Sequence, residues 1–292
     1  MNPWLLAIRP KTLPAAIAPV VIGTAMAVGD GVEHFPSALA ALFAALAIQI
    51  GTNLCNDYFD FKKGADTRER VGPVRVTQAG LIKPSTVLFA AIGAFILSFL
   101  ACLYLVHRAG FAILILGIAS IVSGIFYTAG KRPLGYLGLG ELFVFIFFGP
   151  VAVGGTYFVQ SFEINGAVVM AGLAPGFLSM AILAVNNLRD MDGDRRAGKM
   201  TLAVRFGRGF AGNEFLFCIL ASALTPFAIM IITRDHPGIA AASLIGFLAI
   251  PLVKTVFTHS DGPALNQVLA KAGRLLLMYS ILFSAGWILC SR

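Results

Sequence analysis

The sequence predicts an all-α polytopic membrane protein of about nine transmembrane helices. Composition, the length of the apolar runs and the placement of basic residues predict it together. Of 292 residues, 58% are hydrophobic and only 12% charged, and the mean hydropathy is +0.85. A soluble domain sits nearer half apolar and a quarter charged. Repeated apolar runs reach the roughly 20 residues needed to cross the hydrocarbon core.

In chain order the spans fall at 12–29, 36–59, 84–106, 109–128, 138–159, 166–187, 213–233, 237–257 and 270–290. Prolines 14, 19, 150, 175, 226 and 251 lie inside them, as membrane helices tolerate when neighbours re-satisfy the backbone. The first span is expected to be retained despite the cleavage-like Ala25-Met26-Ala27, because Pro14 and Pro19 interrupt its apolar run. Nineteen of the 22 Lys and Arg residues fall at the amino terminus, after spans 2, 4, 6 and 8, or at the adjoining helix ends. Arg108, Arg234 and Arg292 remain for the other face. That bias puts the amino terminus in the cytoplasm and, with nine spans, the carboxyl terminus outside. The net charge of +8 therefore reflects topology, and no nucleic-acid partner is expected. Cysteines 55, 102, 218 and 290 form no C-x-x-C, so neither a disulfide framework nor a zinc site is expected. Residues 1–292 read as a single transmembrane domain.

Two polar stretches interrupt this pattern. The first is Asn53-Leu54-Cys55-Asn56-Asp57-Tyr58-Phe59-Asp60, with Asp66 following; the second is Asn186-Asn187-Leu188-Arg189-Asp190-Met191-Asp192-Gly193-Asp194. Together they hold six of the nine aspartates. Their near-constant offset fits a four-helix pseudo-repeat with the ninth helix appended.

If the helices run through the clusters, Asn53, Asp57 and Asp60 share one face, with Asn56 and Asp60 also i, i+4 neighbours. Asn186, Asp190 and Asp194 form a second stripe, with Asp192 pointing the other way. Opposed faces would gather at least four carboxylates, which need cations between them to stay ionised. Hard-oxygen clusters beside basic loops point to magnesium holding a phosphate ester. The plain alternative treats these groups as helix caps, which accounts for one Asn-Asp pair but poorly for two matched clusters. An EF-hand is excluded, since its sixth position would be Arg195 and its twelfth Thr201. Among the flanking cations, Arg75, Lys131 and Lys199 stand out by their placement beside the motifs; most other loop cations serve topology. The 24 phenylalanines face lipid or core by default, with a tunnel lining as the functional alternative.

Asn56-Asp57-x-x-Asp60, Tyr127-x-x-x-Lys131 and Asp190-x-x-x-Asp194, in this order along a polytopic chain, resemble the UbiA superfamily of intramembrane prenyltransferases. Arg9-Pro10-Lys11-Thr12, Gly72-Pro73-Val74-Arg75 and Ala197-Gly198-Lys199 bring it nearest to the menaquinone-pathway branch. The resemblance implies a helical bundle around a central cavity, embedded in the inner membrane of a bacterium. It implies Mg2+ held by Asn53, Asn56, Asp57, Asp60, Asp66, Asn186, Asp190 and Asp194, with Asp57, Asp60, Asp190 and Asp194 catalytic. Arg75, Tyr127, Lys131 and Lys199 would bind the diphosphate of a polyprenyl diphosphate, and Asn187 and Arg68 the acceptor. The implied reaction joins the prenyl group to 1,4-dihydroxy-2-naphthoate with loss of CO2, giving demethylmenaquinol. Other acceptors, such as 4-hydroxybenzoate or homogentisate, remain as alternatives. Two other classes are a cation transporter, which has little use for so many nearby Lys and Arg, and a CDP-lipid phosphotransferase, whose motif Asp192-Gly193-Asp194 matches loosely.

Overall fold

The computed structural model describes residues 2–65 and 71–290, and every regular element among them is helical. The chain enters through α1 (Pro3–Ile8), a 3-10 turn (Pro10–Thr12) and α2 (Pro14–Gly29). It continues through α3 (Phe35–Lys62), α4 (Pro84–Ala109) and α5 (Phe111–Phe126). A 3-10 turn (Leu134–Leu137) leads to α6 (Gly140–Phe148), α7 (Pro150–Ser161), α8 (Gly166–Ala171) and α9 (Leu173–Arg196). Then come α10 (Leu202–Thr233), a 3-10 segment (Pro237–Leu244), α11 (Ile245–Leu248), α12 (Ile250–Thr258) and α13 (Gly262–Leu289). Proline opens many of these helices, including α1, α2, α4 and α7. Its fixed φ suits the first turn, where the missing N–H has no partner to lose.

The expected nine spans reduce, among the described residues, to seven helical stretches long and apolar enough to cross a bilayer. An eighth appears if α1 and α2, bent by 48°, count as one. The segment expected at 109–128 is α5, whose 16 residues rise only about 24 Å, short of the roughly 30 Å hydrocarbon core. Two expected helices run further than their apolar runs. α3 continues to Lys62 and α9 to Arg196, so each carries its Asn/Asp cluster on regular helix. α10 begins at Leu202 and bends at Gly207, whose φ is 84°.

The main core lies between α2, α9, α10 and α13, where Met26, Leu178, Phe215 and Phe283 are fully enclosed. A smaller core under α3 and α4 is built on Leu54, Val76, Val87 and Phe95. The two most extensive helix pairings are α3 with α4 and α9 with α10, the pairs that the proposed four-helix offset relates. Outward-facing Phe89, Phe111, Ile231, Phe247 and Leu289 form an apolar exterior suited to lipid.

Two helix breaks touch each other and set how α6 meets α9. A Cβ on Gly149 would lie 2.6 Å from the Gly172 carbonyl oxygen, and one on Gly172 would lie 2.6 Å from Pro150 Cα. Small residues let membrane helices approach backbone to backbone, and here only a hydrogen fits. Gly172→Val is therefore expected to cost about 1–3 kcal/mol by overpacking. The protein in detergent should unfold at a lower temperature, whereas Gly166→Val, where a Cβ meets nothing within 4 Å, should leave the melting temperature near wild type.

Candidate active site

The aspartate clusters of α3 and α9 converge at one end of the bundle. Lys199, just past α9, places its Nζ 3.1 Å from Asp60 Oδ1 and 3.8 Å from Asp194 Oδ1. One ammonium thus joins carboxylates 134 positions apart. Asp60 is 2% exposed and also receives Arg75 at 3.2 Å and the Tyr136 hydroxyl at 3.1 Å. A carboxylate this deeply enclosed requires charged or hydrogen-bonded partners.

The α3 face is buried along its length. Asp57 accepts hydrogen bonds from the backbone N–H groups of Val76 (3.2 Å) and Thr77 (3.0 Å), one to each carboxylate oxygen. It thereby holds the loop that delivers Arg75. Asn53 donates through its amide to the Ile8 carbonyl (3.0 Å) and the Thr12 hydroxyl (2.9 Å), tying the entry segment to α3. Asn56 accepts from the Thr128 hydroxyl at 2.8 Å, and Lys63 donates to the Thr128 carbonyl at 2.6 Å. Asp66 and Arg68 lie outside the described residues.

On α9, Arg189 is buried and clamps Asp190 with two hydrogen bonds, 2.8 and 2.6 Å. The same guanidinium donates to Asn186 Oδ1 at 2.9 Å and to Asn266 Oδ1 of α13 at 2.8 Å. Asp192 is exposed, as its helical phase predicted. Asn187 turns the other way and donates to Glu141 Oε1 of α6 at 2.7 Å.

Four residues that the motifs did not single out, Tyr136, Lys63, Arg189 and Glu141, complete the site. The Tyr136 ring has Lys63 Nζ at 4.6 Å and Lys199 Nζ at 5.0 Å from its centroid, two cation–π contacts. Burial lowers the Lys63 ammonium below its ordinary value; Asp60 opposes that shift and Lys199 adds to it. The Arg189 clamp was visible only as a letter inside the motif. Glu141 carried the clearest overlooked signal, a carboxylate at the head of the apolar run Leu142–Phe148.

Tyr127 joins this polar end to a large apolar cavity. Burial raises its phenol above the ordinary value, and the carboxylates of Glu141, Asp194 and Asp60 raise it further, so it stays protonated and able to donate. Gly135 and Gly140 press against its ring and hydroxyl and cradle it. Lys131, on the loop beyond it, is exposed. The cavity lies between α2, α3, α4, α5, α6 and α7, with about 1110 Å3 of empty space when the open space beside it is included. Its α5 wall runs from Tyr127 to Ile113, a rise of about 21 Å. Phe143, Phe147 and Phe148 line it, while most phenylalanines lie elsewhere.

The donor set suits a hard cation, since Asp57, Asp60, Asp190, Asp194, Asn56 and Asn186 offer only oxygen ligands. Asp60 and Asp194 already share one cation, Lys199. Among the described residues no three His, Cys, Asp or Glu side chains are grouped closely enough to hold a metal as they stand. The chemistry of the residues fits magnesium, and the chain's own cations occupy oxygens of Asp60, Asp190, Asp194 and Asn186.

Residues 16–285 match the model of the UbiA prenyltransferase family. The chain belongs to that family. A 1,4-dihydroxy-2-naphthoate octaprenyltransferase from Escherichia coli strain K12 is 38% identical over 97% of this chain and 94% of its own length. The apo UbiA homolog from Aeropyrum pernix K1 shares the fold with a TM-score of 0.70 at 15% identity, covering 97% of this chain and 98% of that one. The UbiA homolog from Archaeoglobus fulgidus bound to DMAPP and Mg2+ has a TM-score of 0.61 at 16% identity, covering 97% of this chain and 99% of that one.

In this UbiA-family chain Asp57 holds backbone and Asp60 holds cations, which separates two neighbouring aspartates by experiment. Asp57→Ala leaves two buried N–H groups without acceptors, at about 1–3 kcal/mol for each unsatisfied group. Limited proteolysis of the 64–83 segment should accelerate in that variant, and the exposed Asp192→Ala should be cut at the wild-type rate.

Proposed function

We propose that this UbiA-family chain acts along its whole length as a single aromatic prenyltransferase domain. It moves a polyprenyl group from its diphosphate to 1,4-dihydroxy-2-naphthoate, releasing CO2 and giving demethylmenaquinol. The observation that carries the reading is the bridge of Lys199 between Asp60 and Asp194, with Tyr127, which feels both carboxylates, lining an apolar cavity. An ionic site beside a hydrocarbon-lined space fits a donor with a charged head and an isoprenoid tail. The acceptor follows the named activity of relatives such as the Escherichia coli enzyme, which the chain matches nearly end to end.

In this reading Asp60, Asp190 and Asp194, with Asn56 and Asn186, would hold Mg2+. Bound magnesium would neutralise the diphosphate and favour its departure as a leaving group. Arg75, Lys199 and Lys131 hold the diphosphate oxygens, and Tyr127 donates a hydrogen bond where the cavity meets the ionic site. Arg189 and Lys199 keep the carboxylates neutralised between turnovers. Asp57 positions the Arg75 loop and Asn53 the entry segment. Asn187, bonded to Glu141, positions α9; Arg68 remains a proposed contact for the acceptor and Asp66 a proposed ligand of the metal.

The reaction balances without an added redox partner. The bond from the allylic carbon to the diphosphate oxygen breaks, with its electron pair leaving on diphosphate. The ring carbon bearing the carboxylate attacks the allylic cation, forming the new C–C bond. The bond to the carboxylate then breaks, CO2 departs, and its electron pair restores aromaticity. Apolar walls keep water from the cation.

We place the protein in the cytoplasmic membrane of a bacterium, with the amino terminus and the ionic site facing the cytoplasm and the carboxyl terminus outside. The charge bias of the loops supports that orientation. Purified protein given polyprenyl diphosphate, 1,4-dihydroxy-2-naphthoate and Mg2+ should release labelled CO2 from the carboxyl group in step with quinol formation. Chelation should stop both. Asp60→Ala and Asp190→Ala should each lower kcat by about 10²–10³-fold, the scale for losing a major electrostatic stabiliser. Wild-type protein that makes no quinol and releases no CO2 would overturn the reading.

A further inference from the structure

The walls of the apolar cavity contain three glycines, and only one has no packing reason to be glycine. A Cβ on Gly117 would lie 2.9 Å from Cys102 Sγ, and one on Gly124 would collide with the Thr52 hydroxyl. Those two let α5 approach α4 and α3. A Cβ on Gly155 would meet nothing within 4 Å. A glycine inside a helix costs about 1 kcal/mol relative to alanine. At Gly155 no close contact offsets that cost.

What Gly155 does provide is volume. The cavity-facing stripe of α7 is Val151, Ala152, Gly155, Thr156 and Val159, spaced as one helix face, with Gly155 inside it. It lies about 6 Å of helix rise before Val159, the last α7 residue on the wall. Gly140, which opens α6, lies against the Tyr127 hydroxyl, and the whole of α6 and the first half of α7 separate Gly155 from that end. A side chain here would fill the far part of the cavity and leave the ionic end untouched.

We infer that Gly155 sets the length of isoprenoid chain that the cavity accepts, acting as a specificity-determining residue in the far half of the tail site. The inference rests on the proposed reaction. A short donor ends before Gly155, whereas a longer one runs past it and fills the space its missing side chain leaves.

The test compares kcat/KM for geranyl and geranylgeranyl diphosphate in wild type, Gly155→Ala, Gly155→Leu and the off-cavity control Gly166→Leu. Gly155→Leu should lower the long-to-short ratio by roughly tenfold or more, the scale for steric discrimination in a hydrophobic pocket. Gly155→Ala should shift it less, in the same direction, and Gly166→Leu should not shift it. An unchanged ratio, or equal loss with both donors, overturns the inference. If Gly155→Leu fails to fold, the sign of the Gly155→Ala shift decides the matter. Thermal stabilisation by each diphosphate, measured without acceptor, reads the same ratio. Inactive wild type would therefore refute the acceptor while leaving the role of Gly155 open to refutation by binding alone.

Discussion

A lysine ammonium held between carboxylates of two distant helices is the contact on which the site depends. Asp60 on α3 and Asp194 on α9 are both largely withdrawn from water, and side by side they would repel. Removing the partner of a buried charge costs about 3–5 kcal/mol, so the cations cannot be left to diffuse in from solvent. The chain supplies them from loops. Arg75 arrives on the segment after α3, Lys199 on the turn after α9, and the Tyr136 ring, from the loop after α5, lies against both Lys63 and Lys199. Three connections, each following a different helix, are therefore pinned to one point, and secondary contacts keep them there. Asp57 grips the backbone behind Arg75, while Arg205 donates to the Met200 and Leu137 carbonyls and locks the α9 turn to the Tyr136 loop.

Those loop cations also explain how such a site survives between turnovers. A donor diphosphate brings negative charge, and a divalent ion brings positive charge with it, so binding exchanges one nearly neutral arrangement for another. In the proposed reaction Lys199 need only turn from carboxylate oxygen to phosphate oxygen. Its long stem allows this without moving helix backbone. The bidentate clamp of Arg189 on Asp190, tied onward to Asn266 of α13, links that exchange to a helix that carries none of the aspartates.

Periodicity made one class of residue legible and hid another. The face carrying Asn53, Asp57 and Asp60 and the outward turn of Asp192 followed from 3.6 residues per turn, because α3 and α9 stay regular through their polar ends. The Arg189–Asp190 clamp did not, since adjacent helix residues point apart and only a long guanidinium stem can curl back. Tyr136 sits in a 3-10 turn with no pattern to announce it. Helix breaks were equally opaque. Gly149 and Gly172 lie in apolar runs that read as continuous, and only their mutual contact reveals that both chains must bend there. The span count fell for a related reason: hydropathy measured α5 together with its flanks, whereas the glycine turn at Gly110 and the turn past Phe126 leave a short helix.

The cavity raises a different question, why a membrane protein should build apolar space between its helices. Atoms facing a void lose dispersion contacts, at about 20 cal/mol per Å2 of cavity surface, so unfilled space is a standing cost. Here it is built in by small side chains: Ala41, Ala44 and Ala45 on α3, Gly117 and Ser120 on α5, and Ala152 and Gly155 on α7. Bulky phenylalanines are spent mostly on the exterior. Hydrocarbon entering the space recovers those contacts, and an isoprenoid can do so while its diphosphate remains at the ionic mouth. Neither end alone selects the ligand, because free phosphates satisfy the cations and any lipid tail satisfies the walls. In the proposed reaction, selection comes from joining the two across Tyr127, with the breaking bond at the boundary between them. There the leaving group meets fixed positive charge and the nascent cation meets only apolar wall and the aromatic acceptor. That boundary is where an allylic diphosphate should ionise and water should be scarcest.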